Sequence, residues 1–395
     1  MRKLTIGLAI LVLAGCASVP APDRRELYDD ALFKPPSQRI DAADVFAVSP
    51  AMKQFIATEI PYPDNAHGAR KALVDALYKK GQLELDYDGT LTRNASEAFA
   101  ARSGNCLSLV IMTAAFAKAL DLPVRFQHAF VDETWSRQGN VYLSIGHVNL
   151  TLGPTRMDGV YGRNGTDLMM IDFLPPEDLR GMRTRVIEEK TIVAMYMNNR
   201  AVESLSLQDL DDAYWWAREA MRQDPYFLSA FNTLGVVFWR HGNLERAQRA
   251  FAYVLDREPA NPNAMSNLAE VLGEMGRVAE ARELKDRLAR LEPDPPFAFF
   301  NRGVTAMAQG DYRIARDYFE KEVDRAAYYH EFHFWLALAE IRLGDYEHAR
   351  EHLKIAVETS TTRSDHDLYA SKLDHIRSYL HDSMSPLLPG QTRTY

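Results

Sequence analysis

The sequence predicts an α+β domain followed by an all-α superhelix of stacked helix pairs. A 34-residue period carries the second half: Ala213, Ala247, Ala281, Ala315 and Ala349 follow one another at that step. The first half divides at Leu122-Pro123, where helical spacing of apolar residues gives way to the alternation of strands. At that division lies an apolar helix over 107–120, entered through the turn Arg102-Ser103-Gly104-Asn105-Cys106. A chain of 395 residues has room for two or three domains and a full core.

Residues 1–15 read as a secretory leader, since Arg2 and Lys3 precede an apolar run over 4–14 that is too short to span a bilayer. Its end, Leu13-Ala14-Gly15-Cys16, closely resembles the lipobox of bacterial lipoproteins. That resemblance implies cleavage before Cys16 and acylation of Cys16. Ala17 follows instead of an aspartate, which in that class implies outer-membrane sorting with the folded part facing the periplasm. Several acyl chains, at about 0.8 kcal/mol per buried methylene, hold a protein firmly on a membrane. Residues 16–40, with Pro20, Pro22, Pro35 and Pro36, read as a tether.

Composition narrows the function classes. The formal net charge is −8, and −10 once the two cations of the leader are gone. With no dense basic stripe, the chain lacks a nucleic-acid footprint. Its two cysteines, Cys16 and Cys106, form no metal-spaced cluster, and no calcium-loop or phosphate-loop pattern occurs, so no metal or cofactor is expected. With Cys16 acylated, Cys106 is the only thiol of the mature chain, which excludes an intrachain disulfide.

The α+β domain is expected over 41–190. Ser49-Pro50 starts a helix, a capping hydroxyl followed by proline in the first turn, with Met52, Phe55 and Ile56 on its apolar face. A second helix is predicted over 69–80, Leu73, Ala76 and Leu77 inward and Gly81 ending it. Residues 83–87 alternate, Asp88-Gly89 turns, and Thr92 stands where it can cap a short helix bearing Ala95, Ala98 and Phe99. Gly104 and Asn105 suit a tight turn. The helix beyond carries Leu107, Val110, Ile111, Ala114 and Ala115 at three-and-four spacing. Cys106 therefore faces unsatisfied amides and the positive end of a helix dipole, a setting that suits a thiolate nucleophile. Alone, it reads first as a small buried apolar side chain.

Strands are predicted over 124–131, 141–144, 147–152 and 168–173. In the third, His147, Asn149 and Thr151 share one face while Val148, Leu150 and Leu152 share the other, so His147 is expected to point out of the core. In the fourth, Asp172 shares a face with Leu168 and Met170, where a carboxylate is costly unless partnered. A histidine on the neighbouring strand supplies such a partner. Taken singly, His147 reads as a solvent-facing strand histidine and Asp172 as a strand-end carboxylate; His128 and Asp158 are reserve candidates.

A cysteine-bearing helix followed by an antiparallel sheet carrying histidine and then aspartate resembles the transglutaminase-like branch of the papain-type fold, over roughly 83–174. Gly104-Asn105-Cys106 is similar to that family's glycine–polar–cysteine turn, and Ala119 to Phe126 to its exit from helix into strand. Gly146-His147-Val148 stands where the family usually has His-Ala-Trp, and Ile171-Asp172-Phe173 where it carries its aspartate. Val148 and Asn149 depart from the pattern, leaving no tryptophan after the histidine. The resemblance implies that Cys106 attacks an amide or ester carbonyl to form a thioester. His147 would exchange the proton, Asp172 would orient the imidazole, and the Cys106 amide would supply half of an oxyanion hole. Thioester breakdown by water gives hydrolysis; breakdown by a lysine gives crosslinking. The sequence leaves that choice open.

The repeats are expected over 191–380, with a capping helix over about 365–380 and a tail over 381–395. Gly242, Gly276, Gly310 and Gly344 keep the step of the alanines, as do Pro225, Pro259 and Pro293. That period is the tetratricopeptide signature, small residues lying where paired helices cross, glycine in the turn and proline after the second helix. The clearest unit covers 228–259, while Arg302 stands at an apolar position of a later one. Trp215, Trp216, Trp239 and Trp335 read as packing residues. Such superhelices bind an extended peptide or a protein partner on their concave face. The expected protein is thus an envelope-anchored cysteine hydrolase or acyltransferase whose repeats hold a protein or peptide substrate or partner. The alternative is a non-catalytic scaffold with a vestigial first domain.

Overall fold

The computed structural model describes residues 25–60, 66–78, 85–88, 91–130, 135–138, 141–144, 147–153, 168–173, 183–327, 329–360 and 362–384. Cys16 and Asp158 lie outside the described residues.

The first helix, α1 (Pro50–Glu59), opens on Ser49, whose hydroxyl accepts from the Met52 amide at 3.2 Å. Next come α2 (Ala66–Tyr78), a two-residue strand β1 (Asp86–Tyr87) and α3 (Ala95–Ala101). The α3 cap is Asn94, which forms a capping box with Glu97; Thr92, expected in that role, is used elsewhere. β2 (Ser103–Gly104) pairs parallel with β1 and leads directly into α4 (Cys106–Ala119). Every residue of α4 from Cys106 to Ala117 is buried. Three-and-four spacing predicts one covered face, but a helix apolar on all sides is covered on all sides. Phe55 of α1, Phe99 of α3 and Phe116 of α4 meet as a ring cluster, with centroids 5.5 to 5.7 Å apart.

The strands are β3 (Val124–Phe130), β4 (Trp135–Gln138), β5 (Val141–Ser144), β6 (His147–Leu152), β7 (Met169–Ile171) and β8 (Arg183–Ile187). β7, β6, β3 and β8 form one antiparallel sheet in that order, against which α4 packs. β5 pairs with β4 as a separate hairpin. β4 and β8 escape the sequence reading because both are rich in polar residues. Four of the five residues of β8 are exposed, so no apolar alternation marks it.

Five antiparallel helix pairs follow: α5 (Glu189–Ser206) with α6 (Leu210–Gln223), α7 (Leu228–Arg240) with α8 (Leu244–Arg257), α9 (Pro262–Glu274) with α10 (Val278–Leu291), α11 (Ala298–Gln309) with α12 (Tyr312–Arg325), and α13 (His330–Leu343) with α14 (Tyr346–Thr359). The last helix, α15 (Arg363–Met384), covers α14. The turn glycines of the period adopt φ between 77° and 85°, a region only glycine enters freely. At Gly235 the reason for smallness is different: a Cβ there would lie 2.5 Å from the Phe251 ring of the paired helix.

The core disregards the boundary expected at residue 190. One continuous apolar cluster runs from Leu27 through α4 and the sheet to Ala281 in the third helix pair. The fourth and fifth pairs are built on two smaller clusters of their own.

The expected tether is also different. Residues 25–40 are docked on the repeats: the Asp29 amide donates to Tyr214 Oη at 2.9 Å, the Lys34 amide to Asp211 at 3.0 Å and the Ser37 amide to the buried Asp212 at 2.7 Å. Phe33 is buried and stacks on Tyr214 with centroids 4.1 Å apart. Two short 3-10 turns, Arg25–Leu27 and Asp30–Leu32, together with an aromatic anchor and partnered amides, make this stretch a strap where its prolines suggest a tether.

Candidate active site

Cys106 is the first residue of α4, and its neighbour Asn105 is the cap. Asn105 Oδ1 accepts from the Ser108 amide at 2.9 Å and from the Ser108 hydroxyl at 2.8 Å. The turn before it needs glycine, because a Cβ on Gly104 would approach Ser108 Cβ to 2.6 Å. Cys106 is thereby fixed where the helix leaves its first amides unpaired within the helix. It is 6% exposed.

His147 opens β6, and its Nε2 lies 2.7 Å from Asp172 Oδ1. The Cys106 side chain is the second group that acts on the imidazole and raises its pKa. Asp172 follows β7 directly, and its second oxygen accepts from Asn149 Nδ2 at 2.8 Å. The structure thus brings Cys106, His147 and Asp172, which span 66 positions of the sequence, into one interacting group in which His147 and Asp172 are joined by a hydrogen bond. Burial disfavours the charged imidazole, but the hydrogen bonds and charges of Asp172 and Cys106 outweigh it and push His147 up to about 10. An imidazole held in that way between sulfur and carboxylate can shuttle a proton while its orientation stays fixed.

Two expectations about these residues need correction. His147 does not point to solvent: all six residues of β6 are buried, and His147 is 3% exposed. Alternation separates two faces of a strand without saying whether the second is covered. Asp172 does share its face with Leu168 and Met170, but those two are exposed while the Asp172 carboxylate is covered. The strand there is also shorter than the expected 168–173. Of the reserve candidates, His128 pairs in register with Val148, on the sheet face opposite that of His147. Burial first, then Arg185 and His147, lowers its pKa.

Asn149 is the residue of the candidate site that the sequence reading passed over. Its two-residue spacing from His147 placed it on the same face, and that was the available signal. The register Thr151↔Met170, extended by two residues, brings it opposite Asp172. Thr92, Asn199 and Glu203 also bear on the site, through the Cys106 turn, and no local pattern announces them.

Comparison with known proteins bears on the repeat half. Tetratricopeptide-repeat family models match residues 238–298 and 300–364. A TPR repeat-containing protein of Pseudomonas aeruginosa is 29% identical over 125 residues, which are 31% of this chain and 21% of that protein, so the chain spans about a fifth of the length of the curated relative it matches. Among solved structures, a thermophilic TPR protein of Thermus thermophilus is 18% identical with a TM-score of 0.28, over 46% of this chain and 98% of that one. Pseudomonas aeruginosa pilF is 18% identical with a TM-score of 0.28, over 52% and 96%. Yeast Tom70 is 15% identical with a TM-score of 0.33, over 49% and 42%. The C-terminal part of the chain consists of tetratricopeptide repeats in an all-helical superhelix, an architecture consistent with a protein partner.

Proposed function

We propose that the repeats bind a protein or peptide and that Cys106, His147 and Asp172 act on an amide bond of it. The reading rests on one observation: a buried imidazole hydrogen-bonded to a carboxylate and coupled electrostatically to a helix-N-terminal thiol. Cys106 Sγ attacks the carbonyl carbon after giving its proton to His147, and the Cys106 amide is one donor to the resulting oxyanion. His147 passes that proton to the departing amine, leaving a thioester. Water, giving its proton to His147, releases the acid and restores the thiol; a lysine amine in place of water yields a crosslink. Asn149 holds the far oxygen of Asp172, so the carboxylate keeps its nearer oxygen on the imidazole.

A second reading is a repeat scaffold whose first domain has lost its chemistry. The matches to known proteins, which fall on the repeats, and the low exposure of Cys106 favour it.

Iodoacetamide labelling of the folded chain, followed by peptide-resolved mass spectrometry to read Cys106 apart from Cys16, separates the two. Under the catalytic reading Cys106 labels rapidly at pH 6, and His147→Ala slows it by about 100-fold. A Cys106 that stays unlabelled at neutral pH leaves the scaffold alone.

The same proposal places the protein on a membrane through acylated Cys16, in the outer membrane facing the periplasm. Incorporation of an alkyne-tagged palmitate into the wild-type chain and its absence from Cys16→Ser test that part.

A further inference from the structure

We propose that the first repeat helix is a positioning element of the Cys106 centre, with Asn199, Arg200 and Glu203 of α5 holding the nucleophile's turn in place through Thr92. The proposal rests on the reading of Cys106 as a nucleophile.

Thr92 is 1% exposed, and each of its polar atoms is engaged. Its amide donates to Glu203 Oε1 at 2.6 Å, and its carbonyl accepts from Arg200 Nη1 at 3.3 Å. Its hydroxyl oxygen accepts from Asn199 Nδ2 at 3.2 Å and from Asn105 Nδ2 at 2.9 Å. The last bond is the junction, because Asn105 is the cap of α4 and the residue before Cys106. The next residue, Arg93, extends the same seam. Its amide donates to Ser108 Oγ at 2.8 Å, and its guanidinium pairs with Asp88, whose own amide donates to the Gly104 carbonyl at 3.1 Å. One dipeptide is therefore tied on one side to the Cys106 turn and on the other to a helix more than a hundred residues away. Arg200 and Glu203, one turn apart on α5, also pair with each other at 3.2 Å, so the clamp arrives as a unit.

The physical consequence lies in geometry. Asn105 Oδ1 is committed to Ser108, so the amide plane of the cap is set by where its Nδ2 finds an acceptor. Thr92 is that acceptor, and α5 decides where Thr92 stands. A thiol and an imidazole exchange a proton only within hydrogen-bond reach, and a misplacement of about 1 Å costs on the order of a hundredfold in rate. Among the described residues, none of the three α5 side chains is hydrogen-bonded to Cys106 or His147; they act through Thr92 and Asn105.

The test is the pH profile of iodoacetamide labelling at Cys106 in the full-length chain, with folding monitored by circular dichroism. Glu203→Ala removes the acceptor for the Thr92 amide, whereas Glu203→Gln keeps an oxygen there. Labelling at pH 6 falls at least about fivefold in Glu203→Ala, the scale of losing one helix cap, and stays within about twofold of wild type in Glu203→Gln. Thr92→Val, close to isosteric, breaks the junction with Asn105 directly and carries the test if Glu203→Ala does not fold. Folded Glu203→Ala and Thr92→Val proteins with wild-type profiles overturn the proposal. In that case a slowed His147→Ala control leaves the nucleophile reading standing; an unchanged His147→Ala overturns both.

Discussion

His147 in β6 and His352 in α14 are both substantially buried imidazoles beside a carboxylate, yet they are driven in opposite directions. His147 meets Asp172 at 2.7 Å and is pushed up to about 10. His352 stands 3.6 Å from Glu340, beyond hydrogen-bond reach, and burial together with His333 and His348 lowers it to about 4. Glu340 is raised to about 8, by burial first and then by Asp345. Neighbouring bonds explain the second cluster. His333 Nε2 donates to the Ala327 carbonyl at 2.7 Å, which leaves its Nδ1 as an acceptor for His352 Nδ1 at 3.0 Å. His352 then turns a bare Nε2 toward Glu340, and a protonated carboxyl suits it better than a carboxylate. Burial penalises charge in both places, and more so at His147, whose side chain is 3% exposed against 24% for His352. A short hydrogen bond to a carboxylate that is itself anchored overcomes that penalty at the candidate site, and a carboxyl group out of hydrogen-bond reach in the last repeat does not.

The largest expected effect comes from breaking the tight pair. Asp172→Ala leaves a buried imidazolium without its partner and should cost about 3–5 kcal/mol of stability near pH 7. A cost below about 1 kcal/mol in urea unfolding would mean that the pair is not ionised, and the contrast with His352 would collapse.

Next in size are the pH dependences, which the comparison predicts to have opposite signs. For His147 the folded value lies above the ordinary 6.5, so its contribution is complete below pH 6.5 and is lost as pH rises toward about 10. For His352 the folded value lies below 6.5, so its contribution is complete above pH 6.5 and is lost as pH falls toward about 4. Each slope approaches about 1.4 kcal/mol per pH unit at most. His147→Gln should flatten the alkaline limb of a stability profile, and His352→Gln the acid limb. The opposite assignment of limbs would break the comparison.

The smallest effect belongs to the loose pair. Glu340→Gln keeps the size and neutrality of the protonated acid and should change stability at pH 4.5 by less than about 1 kcal/mol. It should also remove a loss of stability between pH 4.5 and about 8, since a raised carboxyl value favours the fold only while the proton is kept. Chemical denaturation at three pH values reads both.

Much of this molecule was legible in its residues because the relevant physics is local. Helix pairs that cross closely need small residues at fixed intervals, so the step from Ala213 to Ala349 announced the superhelix. Ser49-Pro50 marked a helix start, and the switch to alternation after Pro123 marked the sheet. The three site residues could each be placed on an element, though nothing local showed that they meet. Polar edge strands such as β8 hid because no buried face shapes their sequence.

Periodicity, turn chemistry and the order of elements are written in neighbours along the chain, and those the sequence determined by itself. Coverage and juxtaposition are not. Whether the second face of β6 is wet or dry depends on what packs over it. Whether residues 25–40 hang free or strap the repeats depends on the aromatic surface Phe33 finds at Tyr214. That Glu203 reaches Thr92 depends on a core running through residue 190 without a break. These were decided by tertiary structure alone, because hydrogen bonds and buried area between distant segments leave no period in the sequence.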